Sequence, residues 1–332
     1  MKEIQVGRNE AGKRLDKLLG KVLNQAPPSF VYKMLRKKNI KLNEKRAEGK
    51  ELLKEGDRIQ IYLSDETYAR FHADETPVVM NGTLDPKRII YQDKDVLIVN
   101  KPSGVLSQKA QTRDDSMNEQ ILRYLLKEHA ITEEQLKTFV PSVCNRLDRN
   151  TSGILLAGVS LPGSRELSRM LKDRSLSKYY LALVAGEVTQ AVHTTAYLKK
   201  DNRQNRVTVS EQEVPGADRI ETWYRPVLTG REYTLLEVQL ITGKSHQIRA
   251  HLAALGYPIL GDPKYGDVEK NRRLREQYRI QSQCLHAYRV VFPDEAGELE
   301  QLSGKTFQAQ LPNAMDALIR HIWKKSVNQE GI

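Results

Sequence analysis

Leu15, Leu18, Leu19, Val22 and Leu23 fall at i, i+3, i+4, i+7 and i+8, a spacing that predicts an amphipathic helix. Pro27, Pro28 and Ser29 then break the chain and offer a cap. Val31, Met34 and Leu35 set a second helical stripe, with Lys33, Arg36, Lys37 and Lys38 mainly off it. Ile40 and Leu42 alternate with Lys41 as in a short strand, Asn43-Glu44 reads as a turn, and Ile59, Ile61 and Leu63 alternate behind a Gly56-Asp57 turn. Two helices and a few strands predict a small α+β domain over residues 1–65. From Ser64 to Arg88 the periodicity fails, and Pro77 and Pro86 interrupt a polar stretch. It reads as a linker over residues 66–88; the alternative is an ordered segment lying on the next domain.

Beyond it, Ile89–Tyr91 and Val96–Val99 flank Gln92-Asp93-Lys94-Asp95 as a hairpin, and Lys101-Pro102-Ser103-Gly104 ends the second strand. Asn118–Glu128 carries Ile121, Leu122, Leu125 and Leu126 as an amphipathic helix, and Leu167, Met170 and Leu171 mark another. Gly153–Gly158 and Tyr179–Val184 are buried strand runs, while the alternation of Thr234, Leu236, Val238 and Leu240 predicts a strand with one buried face. Strands outnumber helices without alternating regularly with them. The expected fold of residues 89–325 is therefore α+β with a mostly antiparallel mixed sheet, not a doubly wound parallel one.

Composition narrows the class. The 332 residues suggest about two domains. With 39% hydrophobic residues the chain can build a core, and no run approaches the roughly 18–20 apolar residues of a membrane span. The start lacks an apolar signal-like region, and two cysteines, Cys144 and Cys284, form neither a disulfide framework nor a zinc motif. A cytoplasmic protein without membrane contact is expected. The net charge of +11 is concentrated: residues 1–65 hold sixteen Lys and Arg against nine Asp and Glu. Phe30–Arg46 alone has seven basic residues and one acid. Such a run is usually a solvated helix face. Here the interleaving acids are missing, and a patch of that kind neutralises several phosphates. The stretch Arg14–Leu63, with its order helix, helix, basic turn, strand and final EGDRIQI strand, resembles the S4-type RNA-binding domain. The resemblance implies RNA contacts at Lys33, Arg36, Lys37, Lys38 and Lys41, and no chemistry.

The chemistry has to come from elsewhere. There is no GxxxxGK[ST] loop, no GxGxxG after a strand and no GxSxG elbow. His246 and His251 are five apart, which is not the spacing of a helical zinc pair, so no metal is expected. Two stretches remain. In Val143–Gly158, Asp148 sits between Arg146 and Arg149 at the entrance to a buried strand. Nearby cations favour the charged form of a carboxylate, although an Asp closing a turn through its own backbone is the commoner use of such a pattern. In Leu235–Gly266, a strand ends at Thr242-Gly243, and Thr242 or Ser245 can cap a helix burying Ile248, Leu252 and Leu255. Arg249 lies at the border of that face, suited either to a bidentate carboxylate partner or to snorkelling into solvent. His246 and Gln247 lie in the first turn, where phosphates bind well and where plain capping polarity is also common.

Arg146-Leu147-Asp148-Arg149-Asn150-Thr151-Ser152-Gly153, Lys178-Tyr179-Tyr180-Leu181-Ala182 and Thr242-Gly243-Lys244-Ser245-His246-Gln247-Ile248-Arg249-Ala250-His251 together resemble the RluA-type pseudouridine synthase family. The opening Ile98–Gly104 and the later Cys284-Leu285-His286-Ala287 match as well, and the order of domains resembles the RluC/RluD branch. The resemblance implies isomerisation of uridine to pseudouridine in RNA without cofactor or metal. It implies that Asp148 is the catalytic aspartate, acting as nucleophile or base. Tyr180 is then the active-site tyrosine that stacks on the base, and Arg249 pairs with the aspartate and aims it. Arg146 fills the space left by a flipped base, and His246 and Gln247 join the RNA-binding set. Two positions depart from the family pattern: Asn145 stands where a histidine is usual, and Lys244 where an arginine is usual. Large-subunit (23S) ribosomal RNA is the first expected substrate and transfer RNA the second, with the chain acting as a monomer. The competing reading is a silent RNA-binding or ribosome-assembly factor, disfavoured by the presence of Asp148, Tyr180 and Arg249 together. A methyltransferase lacks the glycine-rich loop it would need.

Overall fold

The computed structural model describes residues 1–72, 82–111, 114–136, 138–201 and 206–324. The first elements are β1 (Lys2–Gln5), α1 (Leu15–Val22), α2 (Pro28–Arg36), β2 (Ile40–Leu42), β3 (Lys45–Arg46), β4 (Arg58–Ile61) and α3 (Asp65–Phe71). The apolar stripe of α1 is buried as its spacing requires, with Leu15, Leu18 and Leu19 wholly inaccessible. Helix α2 begins one residue before Ser29. Pro28 occupies its first position, where the missing N–H costs nothing and the fixed φ fits a helix, so no side-chain cap is used. Asn43 and Glu44 have φ of 50° and 64°, the left-handed pair of a tight hairpin between β2 and β3. The strands form a four-stranded sheet in the order β1-β4-β2-β3. Its core of Leu15, Leu18, Leu35, Ile40, Ile59 and Ile61 is separate from the larger one that follows.

The expected linker is partly structured. Ser64 accepts a hydrogen bond from Thr67 N–H and caps α3, which lies in the stretch read as featureless. This helix packs on the first module, not the second: the Phe71 and Phe30 rings are 4.3 Å apart. Residues 73–81 of the linker lie outside the described residues.

The larger body contains β5 (Ile89–Gln92), β6 (Val96–Lys101), α4 (Met117–Lys127), α5 (Glu133–Leu136), β7 (Ser142–Val143), β8 (Ser152–Gly158), α6 (Leu161–Asp173), β9 (Ser177–Ala185), β10 (Val192–Asp201), β11 (Arg206–Ser210), β12 (Asp218–Thr229) and β13 (Tyr233–Leu240). It continues with α7 (Gln247–Ala254), α8 (Val268–Tyr278), β14 (Leu285–Val291), β15 (Thr306–Gln308) and α9 (Asn313–Trp323). One eleven-stranded sheet runs β11-β10-β12-β13-β9-β14-β8-β6-β5, with β15 on β14 and β7 on β8. Among these ladders only β8–β14 is parallel, so the α+β, mostly antiparallel expectation holds. Gly153 makes that parallel pairing possible. Its φ is +112°, and a Cβ there would lie 2.2 Å from Ala287 O. The two faces of the sheet carry separate apolar clusters, one around Leu155, Leu183, Leu236 and Leu252, the other around Ile98, Leu156, Leu167 and Phe292.

Strand β13 departs from its expected single buried face. Being central, it is covered on both faces, and Leu235 and Glu237 are buried along with Leu236 and Val238. Polar contacts also join the two modules. Arg8 makes a two-pronged pair with the fully buried Asp95, at 3.0 and 3.2 Å, and Lys13 and Lys21 both donate to Thr138 O, at 2.9 and 3.0 Å.

Candidate active site

The central side chain is Arg249. It projects from α7, and its Nε and Nη2 grip the two oxygens of Asp262 at 2.7 and 2.9 Å. Asp262 is wholly buried, and its Oδ1 also accepts the backbone N–H groups of Lys264 and Tyr265. Burial alone would raise the Asp262 pKa, but the Arg249 bonds and those backbone donors outweigh it and hold the carboxyl below its ordinary value. Anchored in this way, Arg249 has Nη1 left over, 2.7 Å from Asp148 Oδ2. The helix border of the sequence reading is therefore an interior position: the Arg249 side chain is 5% exposed, against 25% for Asp148. Of the two carboxylates, one fixes the guanidinium and the other is presented to solvent. Among the described residues no protein donor reaches Asp148 Oδ1.

The loop that carries Asp148 is pinned on every side. Asn145 donates to Ile154 O and accepts from Leu156 N–H, so it extends the edge of β8 through its amide. The residue that stands where a histidine is usual thus has both ends of its amide bonded to the backbone of β8. The Ser107 hydroxyl donates to Leu147 O and accepts from Leu147 N–H. Ser103 donates to Asn150 O, and Asp148 O itself accepts from Thr151 N–H. Lys101, fully inaccessible, donates to Pro102 O, Val105 O and Arg149 O at 2.9, 2.7 and 2.9 Å. Burial pulls the Lys101 pKa down to about 7, with the Asp148 charge opposing. The last pin is His286. Its Nε2 must donate to Ala309 O, so Nδ1 accepts from the Ser152 hydroxyl at 2.9 Å; burial lowers its pKa to about 4 and keeps it neutral. A carboxylate held by so many fixed neighbours is preorganised for chemistry.

Asp148 and Arg249 lie in an open cleft lined also by Arg146, Tyr180, Lys244, His246, Gln247 and Leu285. Tyr180 is 5% exposed. Burial and the Asp148 charge raise its pKa above the ordinary phenol value, so it remains a neutral ring. Arg146 is exposed on the loop of Asp148. The catalytic trio of the sequence reading is thus brought together, with Arg146 beside it.

The other expected RNA contacts divide. His246 reaches the cleft, its Nε2 4.0 Å from Asp148 Oδ2. Neither Ser245 nor Thr242 caps α7; His246 takes the cap position in a left-handed conformation. Gln247 lies on the inside, 2% exposed. Its Oε1 accepts from Thr242 Oγ1 and Lys244 N–H, and its Nε2 donates to Glu221 O and Thr222 Oγ1. The amide thus ties the start of α7 to β12 and to the loop that leaves β13, while the residue lines the floor of the cleft. Lys33, Arg36, Lys37 and Lys38 are exposed on and after α2, and the Lys41 ammonium lies over the Tyr62 ring at 5.2 Å. They form a separate basic face on the first module.

Two supporting groups escaped the sequence reading. Asp262 is one; its signal was the Gly-Asp-Pro run following Arg249, which reads as a turn. Lys101 is the other; a lysine beside Pro-Ser-Gly looks solvated until its three carbonyl partners are seen. Among the described residues no group of three or more His, Cys, Asp or Glu is arranged to hold a metal ion.

Residues 95–254 match the family model described as RNA pseudouridylate synthase. The chain is 31% identical over 280 residues to the ribosomal large subunit pseudouridine synthase C of Escherichia coli (strain K12), covering 83% of each chain. It is 30% identical over 293 residues to an uncharacterized RNA pseudouridine synthase of Mycoplasma genitalium, covering 87% of this chain and 88% of that one. Among solved structures, human RNA pseudouridylate synthase domain containing 4 shares the fold. It has a TM-score of 0.57 at 21% identity, over 72% of this chain and 93% of that chain.

Proposed function

The chain belongs to the RluA-type RNA pseudouridine synthases, and we propose that within that family it modifies specific uridines of large-subunit ribosomal RNA, using Asp148 and no cofactor. The observation that carries the reading is the Asp148–Arg249 ion pair at 2.7 Å in a cleft that Tyr180 also lines. Asp148 Oδ2 is occupied by Arg249, and Oδ1 is the oxygen available to the substrate. It supplies the nucleophile or the base of the reaction, in which uracil leaves the ribose at N1, turns and rejoins through C5. Arg249 does not move during this exchange, because its fork on Asp262 fixes it. Tyr180 gives the detached base an apolar face against which to turn.

A uridine within folded RNA must first leave its stack, at a cost of about a few kcal/mol. The exposed Arg146 offers a flat cation to occupy the vacated space and to meet phosphates. The first module, through Lys33, Arg36, Lys37, Lys38 and Lys41, adds sequence-independent affinity for the RNA backbone. The choice of large-subunit RNA rests on the relative in Escherichia coli, whose name states that substrate.

The test is to incubate the chain with ribosomal RNA and with transfer RNA transcripts and map pseudouridine by carbodiimide-dependent primer-extension stops. Stops at defined uridines of the large-subunit transcript support the assignment. Stops confined to transfer RNA would move it to the second substrate.

A further inference from the structure

A tyrosine and a histidine outside the Asp148–Arg249–Tyr180 set form a hydrogen-bonded pair that stands beside Asp148. Val207 N–H, on β11, donates to the Tyr265 hydroxyl oxygen at 3.0 Å. The same hydroxyl is 2.9 Å from His246 Nδ1. With Val207 N–H on the oxygen, the arrangement that also uses the hydroxyl hydrogen directs it to Nδ1. The proton of the imidazole then resides on Nε2, the nitrogen 4.0 Å from Asp148 Oδ2. The other tautomer would set a lone pair against the carboxylate and leave the phenolic hydrogen without its partner. Burial, with Arg249 and Lys264 nearby, lowers the His246 pKa despite the Asp148 charge, so the ring is neutral and its tautomer matters.

Two further features tie this pair to the site. Tyr265 N–H bonds Asp262 Oδ1, and the Arg249 guanidinium lies 5.3 Å from the Tyr265 ring centroid, so the tyrosine touches both groups that fix Asp148. His246 also has φ 55° and ψ 15°, a left-handed conformation that Gly or Asn adopts with less strain.

We propose that Tyr265 and His246 are positioning residues: the phenol fixes the imidazole in its Nε2–H form, and that N–H faces Asp148 Oδ2 alongside Arg249, so that Oδ1 alone is turned to the uridine. The proposal rests on the isomerase reading given above for its kinetic consequence, though not for the tautomer.

Two measurements on the full chain decide it. In protein labelled with ¹⁵N-histidine, His246 is expected as the Nε2–H tautomer, becoming a mixture in Tyr265→Phe. An Nδ1–H form in the unaltered protein would overturn the proposal. Steady-state tritium release from 5-tritiated uridine in RNA gives the second measurement. His246→Gln, whose amide can still donate from the ε position, is expected to retain kcat within about tenfold, while His246→Asn loses about 100-fold with KM little changed. Tyr265→Phe should cost about tenfold in the parent and little in the His246→Gln background, where there is no tautomer to fix. A purely structural role predicts the opposite order, because Asn suits the left-handed backbone better than Gln; Asn outperforming Gln in kcat would overturn the proposal. If the unaltered chain releases no tritium from any RNA, the isomerase reading falls, and the tautomer signal still decides the positioning claim.

Discussion

Arg249 Nη1 lies 2.7 Å from Asp148 Oδ2, although the two residues are 101 positions apart in the chain. The contact depends on a third residue. Asp262 takes the other two nitrogens of the guanidinium and thereby fixes the direction of the one that remains.

It follows that Arg249→Lys is not a conservative change. A single ammonium cannot satisfy the Asp262 fork and reach Asp148 together. We expect kcat to fall by about 100-fold or more in tritium release, from misplacement of Asp148. The poorly paired Asp262 should also cost about 3–5 kcal/mol of stability in urea unfolding. Activity within a few-fold of the parent would mean that Arg249 contributes charge and not direction.

Glu237 should govern part of the acid sensitivity of the large body. It is 2% exposed on β13, bonded by Arg225 Nε at 2.7 Å, Arg289 Nη2 at 2.5 Å and the Tyr288 hydroxyl. Burial would raise its pKa, but the Tyr288 and Arg225 bonds and the Arg289 charge outweigh it and leave the carboxyl below its ordinary 4.5. The folded protein therefore binds this proton more weakly than the unfolded chain does. The stabilisation is complete above that ordinary value and is lost as pH falls below it. Glu237→Gln is expected to be less stable by about 3 kcal/mol at neutral pH, with a flatter decline in acid. Equal slopes for the two proteins below pH 4.5, measured by urea unfolding at a series of pH values, would remove Glu237 from the account.

The basic face of the first module should act on binding and not on chemistry. Replacing Lys33, Arg36 and Lys37 by Gln is expected to reduce the slope of log affinity against log salt by about 2–3, roughly 0.7–0.9 for each phosphate that is no longer neutralised. Single-turnover rates at saturating RNA should be unchanged. A salt slope equal to that of the parent would place the RNA elsewhere.

Much of this architecture is legible in the sequence, for reasons that differ by element. The α1 helix is readable because Leu15, Leu18, Leu19 and Val22 repeat with the helical period and all four are buried. The short α3 helix is hard to see because it buries no residue completely; its Ser64 cap and Asp65-Glu66 first turn are its only signs. Alternation in β13 locates the strand but understates its burial, since a central strand can bury Glu237 once Arg225 and Arg289 pair with it. The site is legible as a set of residue types through the motifs around Asp148, Tyr180 and Arg249. Its geometry is not, because the Asp148 contact is made across the fold and its direction is set by Asp262. Gln247 reads as an RNA-side residue because it lies in a first helical turn, where phosphates bind well; it lines the cleft, but its amide is engaged with β12 and the preceding loop.

The most direct measurement compares tritium release from 5-tritiated uridine in large-subunit ribosomal RNA transcripts by the unaltered chain and by Asp148→Asn. C5 gives up its hydrogen only when the base rejoins the ribose through that carbon. We expect the unaltered chain to release tritium and the variant, isosteric but unable to act as nucleophile or base, to release none above background while still binding RNA. Equal release by the two proteins would remove Asp148 from the chemistry, and with it the account of the cleft built around the Arg249 pair.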